Sequence, residues 1–581
     1  MRKLSIWKVT RRMRGTRVVL VLTLAAPLPA TAQAVDSAIA RVTSNLRTQI
    51  EVAGRPAPET YTLAERMARY HVPGISIAVA DSGRIVWARG FGVKEAGETD
   101  SVTATTLFQA ASISKPVAAT AMLRMVAAGK LDLDRPVNDY LKSWKVPQNK
   151  YNARQKVTLR RIVSHSAGLT VHGFPGYAAG APVPTVVQVL DGTPPANTAP
   201  VRVDTTPGAI FRYSGGGVTV EQLVLSDVSG DTFPALMKRL VLDPIGMSHS
   251  TYRQPLPAEL ASQAAVAHDA QGKPIAGRWH TYPEMAAAGL WTTPTDLLKW
   301  ALAIAAARAG EAGAILPQTL AAEMLTVQKG SMGLGPVLGG TGDGFHFGHG
   351  GSNAGYRCQV IYFPVLGKGA AIMTNGDDGG ALAREVLLAI GAEYGWPDYS
   401  VVRTAQLDPA RLDRYVGRYA VARPAGIMYI IARKGDRLFL QPPGMLGGDE
   451  LVMTAPDRGV SLRSGEWVTF PAGDGPAPFL VAMSDTLRRA SVDAAGLADY
   501  AGTYEVKTPG RPTLEVRVTV EDGLAVAQVV GRRARLPLVP ESGDTFWAQG
   551  VRITFQRDAA GHVTAVTILQ NGQTMTGTRV P

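Results

Sequence analysis

The chain is 581 residues long and 46% hydrophobic, with a formal net charge of +13 and a single cysteine. That length exceeds one ordinary hydrophobic core, so two or three domains are expected, and Cys358 standing alone excludes an intrachain disulfide. No lysine- or arginine-rich run follows the first residues, which excludes the footprint of nucleic-acid binding, and the nine histidines contain no His-Glu-x-x-His pattern; no metal is expected, and no cofactor.

Residues 1–34 read as an export leader. Arg2, Lys3, Lys8, Arg11, Arg12, Arg14 and Arg17 form a basic stretch, and Val18 to Ala26 form an apolar core. Ala30-Thr31-Ala32 or Ala32-Gln33-Ala34 would suit a signal peptidase. The apolar stretch is too short for a membrane anchor. Arg11-Arg12 leaves a twin-arginine signal open beside the general one. Without these seven basic residues the net charge falls from +13 to +6. The mature chain is expected in the periplasm or outside the cell, with no transmembrane span.

Residues from about 36 to 70 read as helical. Gly74 to Gly90 reads as a hairpin, with Ile75-Ser76-Ile77-Ala78-Val79, a turn at Asp81-Ser82-Gly83, and Ile85-Val86-Trp87. Ser112-Ile113-Ser114-Lys115 opens a helical pattern that carries Val117, Met122, Leu123 and Val126 and stops at Gly129. Pro116 falls in its first turn, where no backbone N–H is needed. Positions i and i+3 share a helix face, so the Ser112 hydroxyl and the Lys115 amine can touch. A serine becomes a good nucleophile when a neighbouring base takes its proton, and a lysine with a depressed pKa can be that base. The pattern alone is weak. Ser5-Ile6-Trp7-Lys8 matches it inside the leader.

Further along, Tyr213 precedes the glycine-rich turn Ser214-Gly215-Gly216-Gly217, where it can present its phenol to a cleft or pack as a strand-end tyrosine. Thr293-Pro294-Thr295-Asp296 reads as a capped start to a helix running toward Ala307. His349-Gly350-Gly351-Ser352 precedes the apolar run Gln359–Phe363, which pairs with Ala370–Thr374 in a second hairpin, and glycines there allow close backbone approach. In a strand, His346 and His349 face opposite sides, which argues against a shared metal. Cys358 falls in the same apolar run and reads as buried and inert. A helix follows from about Gly380 to Tyr394. Beyond residue 400 two segments look alike: Leu412-Asp413-Arg414-Tyr415-Val416-Gly417-Arg418-Tyr419 and Leu497-Ala498-Asp499-Tyr500-Ala501-Gly502-Thr503-Tyr504. Each continues through a turn at Asp436 or Asp522, and the repeat reads as two small antiparallel β-barrels or two halves of one.

The order Ser-x-x-Lys, Tyr-x-Gly, His-Gly-Gly resembles the serine β-lactamase and penicillin-binding-protein superfamily, particularly its class C-like branch of D-aminopeptidases, D-alanyl-D-alanine carboxypeptidases and esterases. Val163-Ser164-His165-Ser166-Ala167-Gly168-Leu169, Leu242–Met247 and Ala288–Pro294 are similar to it as well, and the resemblance spans about residues 55–395. It implies an α/β (α+β) domain, an antiparallel sheet flanked by helices with an inserted helical subdomain. It assigns Ser112 as the acylated nucleophile, Lys115 as its partner and Tyr213 as a proton relay, without deciding which is the base. The oxyanion hole would be the backbone N–H groups of Ser112 and Ser352, with His349, Gly350 and Gly351 on the substrate side. Two departures stand out. Gly215 replaces the family's frequent asparagine, and His349 replaces a lysine that helps bind a substrate carboxylate. An imidazolium could pair with that carboxylate through a charge-assisted hydrogen bond, while a neutral imidazole offers at most a neutral one, so both departures weaken recognition of β-lactams and of peptides ending in a free D-alanine.

The expected organisation is a leader at 1–34, a hydrolase domain at 35–400, and barrel repeats at 405–492 and 493–581. D-aminopeptidases of this branch carry paired C-terminal barrels, which serve either as a cap or as a source of loops over the cleft. The expected activity is that of an exported serine hydrolase cleaving small amide, peptide or ester substrates. The alternatives are a β-lactamase or D-alanyl-D-alanine carboxypeptidase, and a penicillin-recognising binding or sensor protein without turnover. The oligomeric state has no sequence signal.

Overall fold

The computed structural model describes residues 29–580 apart from 48–49, 57–58, 398, 400–401, 421–427, 442–447, 463–465, 483–484, 491–494, 508–512, 522–523, 532–534, 549–550 and 571–572. The expected leader therefore lies outside the described residues up to position 28, as does the repeat turn at Asp522. Helix α1 (Pro29–Thr43) starts at the expected cleavage region. The helical expectation for 36–70 holds only at its ends. After α1 the chain extends, pairs Ile50–Glu51 in parallel with Val402–Arg403, and resumes as α2 (Leu63–Arg69). Gly54, Pro56 and Pro58 disfavour continuous helix through the middle. A Thr62–Glu65 capping box then starts α2 afresh.

Strands β1 (Gly74–Asp81) and β2 (Arg84–Gly92) form the first hairpin. Later in the chain come β3 (Val337–Gly339), β4 (His346–Asn353), β5 (Tyr356–Phe363) and β6 (Lys368–Thr374). The sheet order is β2-β1-β6-β5-β4-β3, antiparallel throughout. Side-chain alternation separates its faces. Ile75, Ile77, Val79, Ile361, Phe363 and Ile372 pack with Ile39 and Val42 of α1 and with Leu382, Val386 and Ile390 of α8 (Gly379–Tyr394). Ala78, Ala80, Val360, Tyr362, Ala371 and Met373 face the larger core, shared with α3 (Ser114–Ala127), α5 (Gly215–Ser229) and α7 (Pro294–Ala309). The helical middle also includes α4 (Leu159–Val163) and the single turn α6 (Met285–Ala288). Thr293 caps α7 by accepting the Asp296 N–H, with Pro294 at its first position.

The C-terminal repeat forms two complete barrels. Eight antiparallel strands from Gly417 to Ala490 close on themselves, and eight more do so from Gly502 to Val580. The repeated residues do repeated work. Tyr419 donates to the Tyr415 carbonyl at 2.8 Å, and Tyr504 donates to the Tyr500 carbonyl at 2.9 Å. Arg489 reaches the Val416 carbonyl as Arg579 reaches that of Ala501. Among the described residues no helix is long and apolar enough to cross a membrane.

Candidate active site

Ser112 sits in a 3-10 turn, Ala111–Ile113, that leads directly into α3. Ala111 holds a φ of +49°, an uncommon conformation for a residue with a side chain. Ser114 stabilises the turn by donating to the Ala111 carbonyl at 2.5 Å and accepting the Leu290 N–H at 3.0 Å. The helical stagger then brings Lys115 Nζ to 2.9 Å from Ser112 Oγ. The same amine donates to the Ala287 carbonyl of α6 at 2.8 Å. Gln222 of α5 anchors α6, donating to the Pro283 carbonyl at 3.0 Å and accepting the Ala286 N–H at 2.9 Å.

Tyr213 stands immediately before Ser214, the N-cap of α5, whose hydroxyl accepts the Gly217 N–H at 2.9 Å and donates to the Thr170 carbonyl at 2.8 Å. This fixes the phenol over the nucleophile. Tyr213 hydrogen-bonds Ser112 through its hydroxyl, and its ring centroid lies 4.9 Å from Lys115 Nζ. Three imidazoles surround that ring, at centroid distances of 4.1 Å for His165, 5.0 Å for His172 and 6.2 Å for His349.

Strand β4 closes the other side. Gly351 passes so near the Ser112 turn that a Cβ there would lie 2.2 Å from the Ala110 carbonyl oxygen. Asn353 locks the strand end, donating to Gln109 Oε1 at 2.7 Å and to the Ala288 carbonyl at 3.1 Å. Ser352 is exposed and Ser112 half-buried, and Gly351, next to Ser352, is pressed against the residue that leads into the Ser112 turn. At Gly215 there is little room for a side chain. A Cβ would lie 3.0 Å from Phe174 Cε2 and 3.1 Å from the His172 carbonyl oxygen. The loop that carries His172 and Phe174 thus takes the space of a larger residue. Two cavities lie away from this site, one of about 750 Å³ lined by residues of α2 and α8 with Leu462 of the first barrel and one of about 790 Å³ on the second barrel.

Burial sets the charges. It pulls the Lys115 ammonium down to about 7, opposed by the carboxyl of Glu221. It pushes the Tyr213 phenol up to about 12, opposed by the bond to Ser112. It lowers His349 to about 4, helped by the charge of Lys115 and opposed by the Gly350 carbonyl. His349 Nδ1 donates to that carbonyl at 2.6 Å, which leaves Nε2 as a buried acceptor without a partner among the described residues. The imidazolium reading of His349 therefore meets a neutral ring at neutral pH. The arginines nearest in the chain do not replace the missing cation. Arg212 is held by Asp204, and Arg357, opposite Ser352, is held by Asp377 at 2.9 Å. Burial also raises Cys358 to about 12, and it is an inert thiol packed on Gln109.

The Beta-lactamase family matches residues 61–394, which contain every one of these groups. The chain belongs to this family. A domain of unknown function (DUF3471) matches residues 488–579, the second barrel with the end of the last strand of the first. The unguisins hydrolase ungD of Aspergillus violaceofuscus is 28% identical over 261 residues, 41% of this chain and 43% of the relative. Protein flp of Staphylococcus aureus is 22% identical over 235 residues, 39% of this chain and 42% of the relative. The chain spans less than half the length of these curated relatives. A D-amino acid amidase from Ochrobactrum anthropi superposes with a TM-score of 0.48 at 20% identity, covering 62% of this chain and 99% of that one. The family is one of serine hydrolases, and the Ser-x-x-Lys, Tyr and His-Gly-Gly stretches meet at one point of its fold.

Sequence reasoning gave no role to His165, His172, Glu221 or Glu284. His165 lay inside a stretch that carried the family resemblance, and here it accepts the Ser214 N–H at 3.2 Å through Nδ1. Glu221 had a legible signal. It stands among Val218, Val220, Leu223, Val224 and Leu225 with no basic residue three or four positions away on either side.

Proposed function

We propose that this chain is an exported, class C-like serine hydrolase that forms an acyl-enzyme on Ser112 and acts on small amide, peptide or ester substrates lacking a carboxylate. The single observation that carries this is the 2.9 Å contact between Lys115 Nζ and Ser112 Oγ, with the ammonium depressed to about 7. A lysine free of its proton near neutrality is a competent general base. Tyr213 keeps its proton over the same range, so its phenol serves as donor and relay. In acylation Ser112 Oγ bonds the substrate carbonyl carbon while its proton passes to Lys115 Nζ. The carbonyl oxygen becomes an oxyanion facing the N–H groups of Ser112 and Ser352. Collapse breaks the bond to the leaving group, which takes a proton relayed through Tyr213. Water then releases the acyl group by the reverse path.

The neutral His349 and the paired Arg212 and Arg357 favour uncharged substrates over peptides ending in a free carboxylate and over β-lactams. A relative named as a hydrolase agrees with turnover rather than mere binding. The export reading rests on the basic and apolar composition of residues 1–34. The test is covalent labelling by a fluorophosphonate together with turnover of a short-chain nitrophenyl ester. Ser112→Ala is expected to abolish both. Lys115→Ala and Tyr213→Phe are each expected to cost on the order of 10²-fold or more. Full turnover by Ser112→Ala would overturn the acyl-enzyme reading.

A further inference from the structure

One buried acid has no task in this scheme. Glu221 lies mid-helix in α5 with no exposed surface, and neither carboxyl oxygen has a hydrogen-bond partner among the described residues. Buried polar atoms are nearly always paired, so an orphan carboxyl calls for an explanation. Its surroundings supply one. Helices α3 and α5 share α6 as a common wall: Lys115 donates to Ala287 of α6, and Gln222, next to Glu221, holds Pro283 and Ala286. Tyr252 feels the Glu221 carboxyl and donates to the Ser114 carbonyl at 2.8 Å, which sets the acid against the first turn of α3. Glu221 is the carboxyl whose charge reaches Lys115, and Lys115 is the cation that reaches Glu221. A second orphan acid, Glu284, acts on Tyr177 and Tyr282 instead.

We infer that Glu221 is a positioning residue for Lys115, an unpaired carboxyl inside the helix bundle whose charge state is linked through space to that of the amine and so sets the pH range in which Lys115 can deprotonate Ser112. The inference rests on the acyl-enzyme reading above. With one proton on the pair, two arrangements exist: free amine with carboxylic acid, or ammonium with carboxylate. Only the first offers a lone pair to Ser112. When Oγ bonds the acyl carbon, its proton joins Nζ, the carboxyl keeps its own, and the new ammonium balances the oxyanion.

Burial raises the Glu221 carboxyl to about 8 and lowers Lys115 to about 7, so their titrations overlap and belong to the pair. The other titratable groups around Lys115 are Tyr213, His165, His172 and His349, the last three held below the usual histidine range. Around Glu221 the remaining one is Tyr252, and α6 contributes only methionine and alanine. Further charges on the adjoining helices are engaged. Asp227 holds Ser143 and the Lys142 N–H, Arg124 the Leu240 carbonyl, Arg160 both Asp134 and Glu323, and Arg161 the Lys156 carbonyl.

The experiment is the pH dependence of the fluorophosphonate labelling rate on Ser112 and of kcat/KM for a neutral ester, in the full-length chain from about pH 5 to 9. The wild-type acid limb is expected to be drawn out over more than one protonation step. Glu221→Gln and Glu221→Leu remove the carboxyl and with it the ammonium–carboxylate arrangement. Both are expected to give a simple one-proton limb whose midpoint is lower by about half a pH unit or more. Thermal unfolding reports whether each variant is folded. A purely structural role would change the melting temperature and leave the midpoint in place. An unmoved midpoint in either folded variant overturns the inference. If neither variant folds, the wild-type curve decides, since a one-proton limb would show that the two charges are not linked. Failure of wild-type labelling on Ser112 would instead bring down the acyl-enzyme reading, and this inference with it.

Discussion

Desolvation acts on Lys115, Tyr213 and His349 in one direction, toward the uncharged form. Lys115 loses its proton near neutrality, Tyr213 keeps its own, and His349 stays an unprotonated ring down to about 4. His349 is protonated only below that value, so its charge is constant across the neutral range. The ratio of kcat/KM for a matched carboxylate substrate and its neutral analogue is therefore expected to be flat from about pH 5.5 to 8.5 and to favour the neutral analogue. A ratio that rises steeply toward pH 5.5 would mean that an imidazolium does read the carboxylate. The Ser112–Lys115 pairing was legible in sequence because i and i+3 geometry needs no tertiary information. The charge of His349 was not, because it depends on burial contributed by segments far apart in the chain.

At the level of elements, the site is made by a strand and a turn pressed together. Gly351 faces the Ala110 carbonyl, whereas Gly350 faces Gln359, where a Cβ would lie 3.1 Å from Oε1 of a side chain that can move. Gly351→Ala is expected to push β4 off the turn, misplace the Ser352 N–H and cost roughly 10² to 10³-fold in kcat, the scale of losing one oxyanion donor. Gly350→Ala is expected to stay within roughly tenfold by the same measure. Equal, small effects at both positions would show that the close approach has no part in the chemistry. The two hairpins and the helices after Ser112 and Thr293 were legible from local periodicity and capping. The break between α1 and α2 was harder, because the extended segment is held by partners remote in sequence: Leu46 by Tyr61, Ile50–Glu51 by Val402–Arg403. The repeat announced the barrels, but whether sixteen strands close once or twice depends on pairings such as Arg418 with Ala490 and Thr503 with Val580, which join the ends of each unit.

For the whole molecule, the question is what the barrels do for the hydrolase domain. Each barrel has its own core, one around Tyr415, Tyr419 and Phe470 and one around Tyr500, Tyr504 and Phe555. The hydrolase cores share no residue with either. The units are linked through one short segment: Ile50 and Val52 pack on Val452 and Val460, Arg55 pairs with Glu450, Glu51 with Arg403, the Ala53 N–H donates to Thr404, and residues 50–51 pair with 402–403. Uncovering one isoleucine costs about 1.5–3 kcal/mol, and the exposed end of the Arg55 pair adds little, against a typical domain stability of about 5–15 kcal/mol. A chain ending near residue 400 is therefore expected to fold, unfold in one cooperative transition at a modestly lower temperature, and still label on Ser112. Among the described residues none from the barrels hydrogen-bonds or stacks on Ser112, Lys115, Tyr213 or His349. A capping role then predicts kcat/KM for small neutral esters within about twofold of the full chain, since a cap contributes stability and makes no differential contact with the transition state. The comparison is made across nitrophenyl esters of increasing size and D- and L-amino-acid anilides. A truncated chain that broadens its substrate range, or changes KM for the larger members only, would show that the barrels reach over the cleft and restrict what enters it.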